Sequence, residues 1–482
     1  MIRVPVVVHV VGLFLMVLGA IMLGFAGWSR WIGEDWSLFG SAFLAATALG
    51  ALCFFLARRP TREISQREGL LLVCLVWFVL CAVGALPFYL SPFFDSYVDA
   101  FFETTSGFTT TGATVLAEVE VLPRDLQLWR CMTHWLGGMG IILLGIAILP
   151  VVGIGGMPLY RAEFSGAKSE KLKPRIAETA MALWRIYFAL TLAEYVALRW
   201  AGMDEFDALC HTFSTLGTGG FSTRTASIAA FHSPLIEGII IVFMLLAGMN
   251  FTRHYRLWVE RRPGGFLRDI ELRFYLYVAL GSTLIISASL LFEDGHTPTE
   301  AFRKSLFQVS SILTTTGFVT DNFEVWRPLP QLILLALMFF GGCTGSTAGG
   351  LKASRILLLL KVVSREFKRM VERRGVFAVR LGSEVIPEYT IQSLLNMVYL
   401  TFLFFFVCCL ILSGCGIDVL SSIAAVAATI FNIGPGLGSV GPAEHYGHLP
   451  HLAKWVLSMC MLAGRLEFYT LLIILTPAFW RK

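Results

Sequence analysis

The sequence has few charged residues: Asp, Glu, Lys and Arg account for only 15% of its 482 positions, whereas soluble globular proteins carry roughly 25%. This shortage excludes an ordinary water-facing surface, and with it the secreted scaffolds, nucleic-acid-binding proteins and cytosolic enzymes. Apolar residues make up 56% of the chain, and the mean hydropathy is +0.72. They occur in uninterrupted blocks long enough to cross a bilayer, which takes about 20 residues per helix. The sequence therefore predicts a polytopic membrane protein with no nucleic-acid partner.

Catalytic and metal-binding motifs are also missing. The ten cysteines include no CxxC pair and no Cys/His cluster with zinc spacing, so we interpret them as small, reduced, buried residues. The HExxH and GxSxG motifs are absent, and no two apolar blocks carry a pair of intramembrane aspartates. We therefore expect no enzyme activity and no organic cofactor, with an intramembrane enzyme as the alternative from another class.

The long apolar blocks predict ten membrane crossings. Two blocks, Val4–Trp28 and Leu38–Ala57, open the chain, and eight more follow in four pairs, with the block interrupted at Gly341–Gly350 counted as one crossing. Basic residues gather on alternate loops, and the positive-inside rule places such loops in the cytoplasm. Both chain termini are then expected in the cytoplasm. The basic loops cover residues 58–67, 161–175, 253–273 and 352–380.

Four segments that lie between the members of these pairs are too short or too polar to cross. The first two place an Asp-Ala pair 13 residues before Gly112 and Gly220. The third ends in three threonines and Gly317, and the fourth, which is the most divergent, ends at Gly434. We call these four residues the anchor glycines. Self-similarity at a spacing of roughly 100 residues indicates four copies of one helix–hairpin–helix unit.

The repeats predict an all-α membrane protein in which four helix–pore-helix–helix units surround a central pore. Non-helical backbone at membrane depth persists only where it is buried in protein or lines a wet cavity. Inward-pointing carbonyls there replace the water shell of a small cation, and the negative ends of short helices favour a cation over an anion. Two extra transmembrane helices (1–60) precede the repeats, which are expected at 69–152, 181–262, 271–374 and 390–478.

The glycine motifs resemble those of the Trk/Ktr/HKT superfamily of potassium transporters. The resemblance covers all four repeats, and the two additional N-terminal helices resemble those of its TrkH branch. The four motifs are TTTGA at Thr109–Ala113, TGGF at Thr218–Phe221, TTTGF at Thr314–Phe318 and NIGPG at Asn432–Gly436.

This resemblance implies potassium uptake across the bacterial inner membrane, with K+ as the transported ion. It also implies that backbone carbonyls of the motifs hold K+ and form a selectivity filter. A glycine in every repeat is the potassium-favouring pattern of the superfamily. The implied filter residues are Thr110, Thr111, Gly112, Gly219, Gly220, Thr316, Gly317, Ile433 and Gly434.

The block that begins at Gln331 is interrupted by a glycine-rich segment, Gly341–Gly350. Each glycine destabilises a helix by about 1 kcal/mol relative to alanine, so we expect the helix to unwind there, at membrane depth. The segment lacks the GxxxxGK[ST] and GxGxxG spacings of phosphate-binding loops, and a plain flexible kink is the other alternative. The resemblance implies a gate in the pore. The gating glycines are Gly341, Gly342, Gly345, Gly349 and Gly350.

Arg465 lies inside the last apolar block, where an arginine costs about 2.5–3.5 kcal/mol on insertion scales. It is therefore expected to face the pore or a partner, and snorkelling or pairing with Glu194 or Glu237 stays open. The resemblance implies an arginine beneath the filter that contacts the loop. Our hypothesis is that Arg465 is an electrostatic barrier that holds the Gly341–Gly350 loop shut.

Several other polar residues occur in or near the membrane blocks. For Glu103 and His211 we favour hydrogen bonding within the pore helices. A proton-relay role stays open for both, and equally for His134, Glu194 and Glu237.

The basic stretch Lys361–Arg374 on the cytoplasmic side favours contact with anionic membrane lipids. The resemblance further implies a homodimer in which each chain has its own pore. It also implies a TrkA-like cytoplasmic nucleotide-binding regulator, which would carry any nucleotide. Two alternatives stay open: a sodium-permeable or proton- or sodium-coupled symporter of the same superfamily, and a subunit without transport of its own.

Overall fold

The computed structural model describes residues 2–57, 65–147, 172–261, 269–293, 297–382, 384–474 and 476–481. Helices dominate these residues, and the described sheet is a two-stranded antiparallel ladder of β1 (Arg380–Leu381) and β2 (Glu384–Val385). All ten cysteines are free thiols. Parts of three predicted basic loops, residues 58–64, 161–171 and 262–268, lie outside the described residues, as does the predicted end of the first repeat at 148–152.

After an N-terminal pair of helices, a long, a short and a second long helix follow one another four times. The second long helix is interrupted in the last three repeats. The helices in chain order are α1 (Val4–Ile32), α2 (Trp36–Leu56), α3 (Gln66–Gly84), α4 (Leu86–Tyr89), α5 (Tyr97–Phe108), α6 (Arg124–Ala147), α7 (Leu172–Trp200), α8 (Glu205–Gly217), α9 (Pro234–Ala247), α10 (Phe251–Trp258), α11 (Ile270–Glu293), α12 (Pro298–Leu313), α13 (Pro328–Met338), α14 (Ala353–Val371), α15 (Glu388–Gly414), α16 (Val419–Ile430), α17 (His451–Arg465), α18 (Tyr469–Ile474) and α19 (Pro477–Trp480).

The N-terminal helices α1 and α2 pack through small residues. A methyl group on Gly12 would lie 2.7 Å from the carbonyl oxygen of Gly50. A methyl group on Gly50 would in turn lie 3.0 Å from the Cβ of Leu15. Small residues let two backbones approach this closely, which is how many transmembrane helices associate.

The four short helices α5, α8, α12 and α16 begin at side chains that cap their first turn. Ser96, Asp204, Thr297 and Asp418 each accept a hydrogen bond from a backbone N–H two or three residues further on. Such caps satisfy donors that the helix itself leaves unpaired. These caps therefore fix the residue at which each short helix begins, and three of the capping residues, Asp204, Thr297 and Asp418, are exposed.

Three of the second long helices are interrupted. Helices α9 and α10 meet at an angle of 99° around Gly248–Asn250, a bend that the sequence pattern did not predict. The segment Gly341–Gly350 between α13 and α14 is non-helical, as expected, and a parallel bridge joins its flanking residues Phe340 and Leu351. A break at 466–468 separates α17 from α18.

Six helices of the described ranges are long and apolar enough to cross a membrane, and the bent pair α9–α10 adds a seventh. The other predicted crossings are α6, α13 with α14, and α17 with α18. The last two are interrupted, and α6 carries buried polar residues such as Arg130 and His134. The count of ten crossings therefore stays a prediction.

Candidate ion-conducting pore

The four short helices end in the same way. In the first repeat, the N–H of Thr111 donates to the carbonyl of Ser106 (2.8 Å), and the N–H of Thr110 donates to the carbonyl of Gly107 (3.0 Å). Together these bonds form a Schellman motif, which ends a helix with one residue in the left-handed conformation. The equivalent bonds are Gly219–Ser214 (2.9 Å), Thr218–Thr215 (2.9 Å), Thr316–Ser311 (2.8 Å), Thr315–Ile312 (3.0 Å), Ile433–Ala428 (2.8 Å) and Asn432–Thr429 (3.3 Å).

Backbone conformation alternates through each segment. The residue two before the anchor glycine has a positive φ, the next residue does not, and the anchor glycine again does. When right-handed and left-handed backbone conformations alternate, successive N–H groups point to one side of the chain and the carbonyl groups to the other. The positive φ values are 54° at Thr110, 54° at Thr218, 55° at Thr315, 55° at Asn432, 81° at Gly112, 79° at Gly220, 80° at Gly317 and 100° at Gly434.

The anchor glycines meet the neighbouring repeat in a closed ring. A methyl group on Gly112 would overlap the carbonyl oxygen of Gly219, which belongs to the second repeat. A methyl group on Gly220 would likewise overlap the carbonyl oxygen of Thr316 in the third repeat. One on Gly317 would overlap the carbonyl oxygen of Ile433 in the fourth repeat. A methyl group on Gly434 would lie 2.6 Å from the carbonyl oxygen of Thr111, which returns the ring to the first repeat. The four carbonyls in this ring belong to Thr111, Gly219, Thr316 and Ile433.

All nine sequence-predicted filter residues therefore lie in one narrow ring of backbone. Three further residues hold positions equivalent to Thr110 and were not predicted: Thr218, Thr315 and Asn432. Each of them stands two residues before the anchor glycine of its repeat, as Thr110 does. An alignment of the four repeats could therefore have predicted them. A threonine in the left-handed region costs about 1–2 kcal/mol, which the two Schellman bonds of each helix end help to offset.

An open cavity of about 90 Å³ lies against one side of the ring. All four anchor glycines line this vestibule, together with residues that follow them, such as Thr114 and Ser222. Beside Gly441, which lines the cavity, the Glu324 carboxylate accepts a hydrogen bond from the N–H of Gly438 (2.5 Å). Burial raises the pKa of Glu324 above its ordinary value. The vestibule gives an ion from one face of the protein direct access to the ring.

The Gly341–Gly350 loop lies against the ring at its other side. The N–H of Gly349 donates to the side-chain hydroxyl of Thr315 (2.6 Å), one of the left-handed residues of the ring. A methyl group on Gly349 would lie 2.6 Å from the carbonyl oxygen of Phe431 and 3.0 Å from the Cβ of Asn432. Glycine is required here because the loop backbone passes directly beneath the third and fourth repeats.

Hydrogen bonds fasten this loop to two neighbouring elements. Its Cys343 N–H donates to the carbonyl of Gly248 (2.8 Å), at the bend between α9 and α10. The Glu271 carboxylate of α11 accepts from the N–H of Thr344 (2.7 Å), from the Thr344 hydroxyl (3.0 Å) and from the N–H of Ser354 (3.0 Å). A buried carboxylate that accepts several bonds holds a loop in one position more firmly than neutral acceptors do.

Arg465, at the end of α17, reaches the same loop. Its side chain is buried, with 2% of its surface exposed. The guanidinium donates to the carbonyl of Thr347 in the loop (2.8 Å) and to the carbonyl of Gly137 in α6 (3.1 Å). The alternative that Arg465 pairs with Glu194 or Glu237 is therefore wrong, since neither carboxylate bonds to it in the part of the chain that the structure describes. Glu237 pairs with Arg303 (3.1 Å) instead.

A family model named TrkH and described as a cation transport protein matches residues 37–482. The chain belongs to the TrkH family. It is 45% identical to the Trk system potassium uptake protein TrkH of Vibrio parahaemolyticus and 44% identical to that of Escherichia coli, each over 92% of both chains. The crystal structure of the potassium transporter TrkH from Vibrio parahaemolyticus covers all of both chains with a TM-score of 0.91 and 41% identity. These similarities confirm the predicted family and fold class.

In this TrkH-family chain, His211 bonds within its own short helix, to the carbonyl of Asp207 (2.7 Å). The partners of Glu103, in contrast, lie outside the short helix α5, within which we expected them. Glu103 accepts from Thr114 and from the N–H of Val115 (3.0 Å). It also forms a buried ion pair with Arg130 (2.8 Å), which the sequence pattern did not reveal. Neither carboxylate oxygen of Glu194 has a hydrogen-bond partner among the described residues.

Proposed function

We propose that this chain takes up potassium through the ring of the four anchor glycines. The observation that carries the proposal is the closed ring itself, in which each repeat contributes one carbonyl beside the glycine of its neighbour. Four inward carbonyls can replace water around a dehydrated monovalent cation. The relatives at 44–45% identity are named potassium uptake proteins. An inward-negative membrane potential contributes about 2.3 kcal/mol per charge per 100 mV, which drives uptake.

We further propose that the nine predicted filter residues hold the ion by their backbone carbonyls. The Gly341–Gly350 loop is proposed to gate the passage of the ion out of the ring. The loop lies directly beneath Thr315 and Asn432 and would have to move for an ion to leave the ring on that side. Arg465 adds a fixed positive charge there and holds the loop by the Thr347 carbonyl. Both features oppose the passage of a cation, so the arrangement corresponds to a closed gate.

The setting in the cell is part of the same proposal. We place the chain in the bacterial inner membrane with both termini in the cytoplasm, because its basic loops alternate with acidic ones. The relatives are named as parts of a Trk system. We infer a homodimer, with one pore per chain, and a TrkA-like nucleotide-binding regulator on the cytoplasmic side. The basic helix α14 would face that regulator or anionic lipid.

Potassium-dependent growth tests the proposal most directly. The chain, expressed in a bacterium that lacks its own potassium uptake systems, is expected to restore growth at low potassium. Purified chain in liposomes is expected to take up K+ and Rb+ in preference to Na+. Uptake of Na+ equal to that of K+ would favour a sodium-permeable transporter, and dependence on a proton or sodium gradient would favour a symporter. Absence of flux with and without a regulator would contradict transport by this chain.

A further inference from the structure

Three repeats carry a polar side chain at the same place behind the ring. Glu103, His211 and Gln308 each stand nine residues before the anchor glycine of their repeat. All three have 0% of their surface exposed. We call them the strap residues because each one bonds to the chain that leaves the anchor glycine. In the fourth repeat the equivalent residue is Ala425.

The strap in the first repeat is a buried ion pair. Glu103 accepts from the Thr114 hydroxyl (2.9 and 3.1 Å) and from the N–H of Val115 (3.0 Å), two and three residues beyond Gly112. Arg130 neutralises Glu103 (2.8 Å) and also donates to the Ser222 carbonyl (3.2 Å) of the second repeat. Charge-assisted bonds are the stronger kind. This strap therefore fixes the outgoing chains of two neighbouring repeats at once.

The second and third straps use neutral side chains. His211 donates from Nδ1 to the carbonyl of Asp207 (2.7 Å), so its Nε2 accepts from the Ser222 hydroxyl (2.9 Å), two residues beyond Gly220. The Gln308 amide oxygen, in the orientation that satisfies its neighbours, accepts from the N–H groups of Thr320 (3.0 Å) and Asp321 (3.3 Å). Three different chemical groups thus make the same connection.

The fourth repeat needs no strap because its outgoing chain touches its own helix. A methyl group on Gly436, two residues beyond Gly434, would lie 3.2 Å from the backbone carbon of Ala424. Small residues on both sides bring the chain and the helix into direct contact. The Tyr446 hydroxyl additionally donates to the carbonyl of Gly434 (2.8 Å).

We propose that Glu103, His211 and Gln308 are specificity-determining positioning residues: they hold the ring at the width that discriminates K+ from the smaller Na+. This inference rests on the proposed function. Carbonyls that are free to shift inward would coordinate Na+ as well, so discrimination requires a backbone that resists contraction. The straps supply that resistance from behind, without contact with the ion.

Small changes at the loop end of each strap test this role in purified full-length chain in liposomes. Thr114→Val and Ser222→Ala each remove one hydroxyl partner. The K+/Na+ influx ratio is expected to fall about three- to tenfold in each, which corresponds to the loss of the bond between the hydroxyl and its strap residue. Gln308→Leu leaves two N–H groups unpaired and is expected to lower the ratio further. Thr114→Ser and Ser222→Thr keep the hydroxyl and are expected to restore the ratio.

Matched controls lie one residue further along the same helices. Thr104 bonds only to its own helix at Ala100 (2.8 Å), and the Thr212 hydroxyl has no partner among the described residues. Thr104→Val and Thr212→Val are expected to keep the wild-type ratio. A wild-type ratio in all strap variants, or an equal fall in the controls, would overturn the inference while leaving K+ uptake intact. Wild-type protein without K+ selectivity would overturn the proposed function itself, and the inference with it.

Discussion

The four anchor glycines are the positions of the ring that least tolerate a side chain, because each combines a positive φ with a close contact to another repeat. At Gly317 the φ is 80°, and a methyl group would overlap the carbonyl oxygen of Ile433. Some glycines elsewhere in the chain lack both features. Gly281, on helix α11, has no positive φ, and a methyl group there would meet no atom within 4 Å. The role of a glycine here depends on its neighbours rather than on its type.

Gly317→Ala is therefore expected to abolish selective K+ uptake. The left-handed backbone alone would cost about 1–2 kcal/mol with a side chain present, and the overlap displaces one of the four carbonyls. Gly281→Ala is the matched control and is expected to keep wild-type uptake. Growth at low potassium and the K+/Na+ influx ratio measure the difference. Normal selectivity in Gly317→Ala would contradict the closed ring.

At this scale the sequence was informative about local chemistry and uninformative about distant partners. The anchor glycines could be predicted because each ends a recognisable motif. The pairing of Glu103 with Arg130 could not, since the two residues belong to different helices whose contact only the fold determines. The missed Thr218, Thr315 and Asn432 lie between these cases. The sequence showed that they occupy the same position in each repeat. It did not show that a residue other than glycine adopts the left-handed conformation there.

Among the elements, the interrupted helices matter most, because they bring backbone polar groups to membrane depth. The five glycines made the break at Gly341–Gly350 predictable. The 99° bend between α9 and α10 was not, since only Gly248 and the helix-capping Asn250 mark it. The two breaks support each other through the bond between Cys343 and Gly248 (2.8 Å). A movement of the loop would therefore reach the second repeat as well.

Removal of the Glu271 carboxylate, which holds the Gly341–Gly350 loop, is expected to loosen the proposed gate. Glu271→Ala deletes three hydrogen bonds to Thr344 and Ser354 and should raise K+ flux through the purified chain several-fold. Glu271→Gln keeps an acceptor oxygen in the same place and is expected to stay near the wild-type flux. Liposome flux measurements at equal protein amounts compare the two. Equal flux in both variants would show that Glu271 does not hold the gate.

Substitution of Arg465 tests the electrostatic part of the proposed gate. Arg465→Ala removes both the bond to Thr347 and a buried positive charge beneath the ring, so K+ flux is expected to rise. Arg369→Ala is the control, because Arg369 is about half exposed and pairs with Glu366 at the surface. Flux is measured for both variants and for a deletion of the Gly341–Gly350 loop. Unchanged flux in Arg465→Ala and in the loop deletion would remove the gating role.

The whole molecule depends on closing four repeats of one chain into a ring. The sequence predicted four units but not their order around the axis, because that order rests on contacts between residues far apart in the chain. The contact between Gly434 and Thr111 joins the last repeat to the first. A second connection lies at the first turn of α5, where Asp99 forms a buried ion pair with Lys454 of α17.

This ion pair is expected to stabilise the closure of the ring. The two side chains are only 4% and 10% exposed, and removing one partner of a buried pair typically costs about 3–5 kcal/mol. Lys454→Met should therefore lower the free energy of unfolding by about that amount, and the double variant Asp99→Asn, Lys454→Met should recover part of it. Arg369→Ala, which breaks a surface pair, should change it by less than about 1 kcal/mol.

These differences are measured by chemical unfolding of the purified variants, with helix content as the signal. The K+ flux of the protein that is still folded reports whether the ring stays closed. If the first and fourth repeats separate, Lys454→Met should lose K+/Na+ discrimination at denaturant concentrations that leave its helices intact. The control should lose selectivity and helix content together. A Lys454→Met variant as stable and selective as the control would mean that the contact at Gly434 and Thr111 closes the ring without the ion pair.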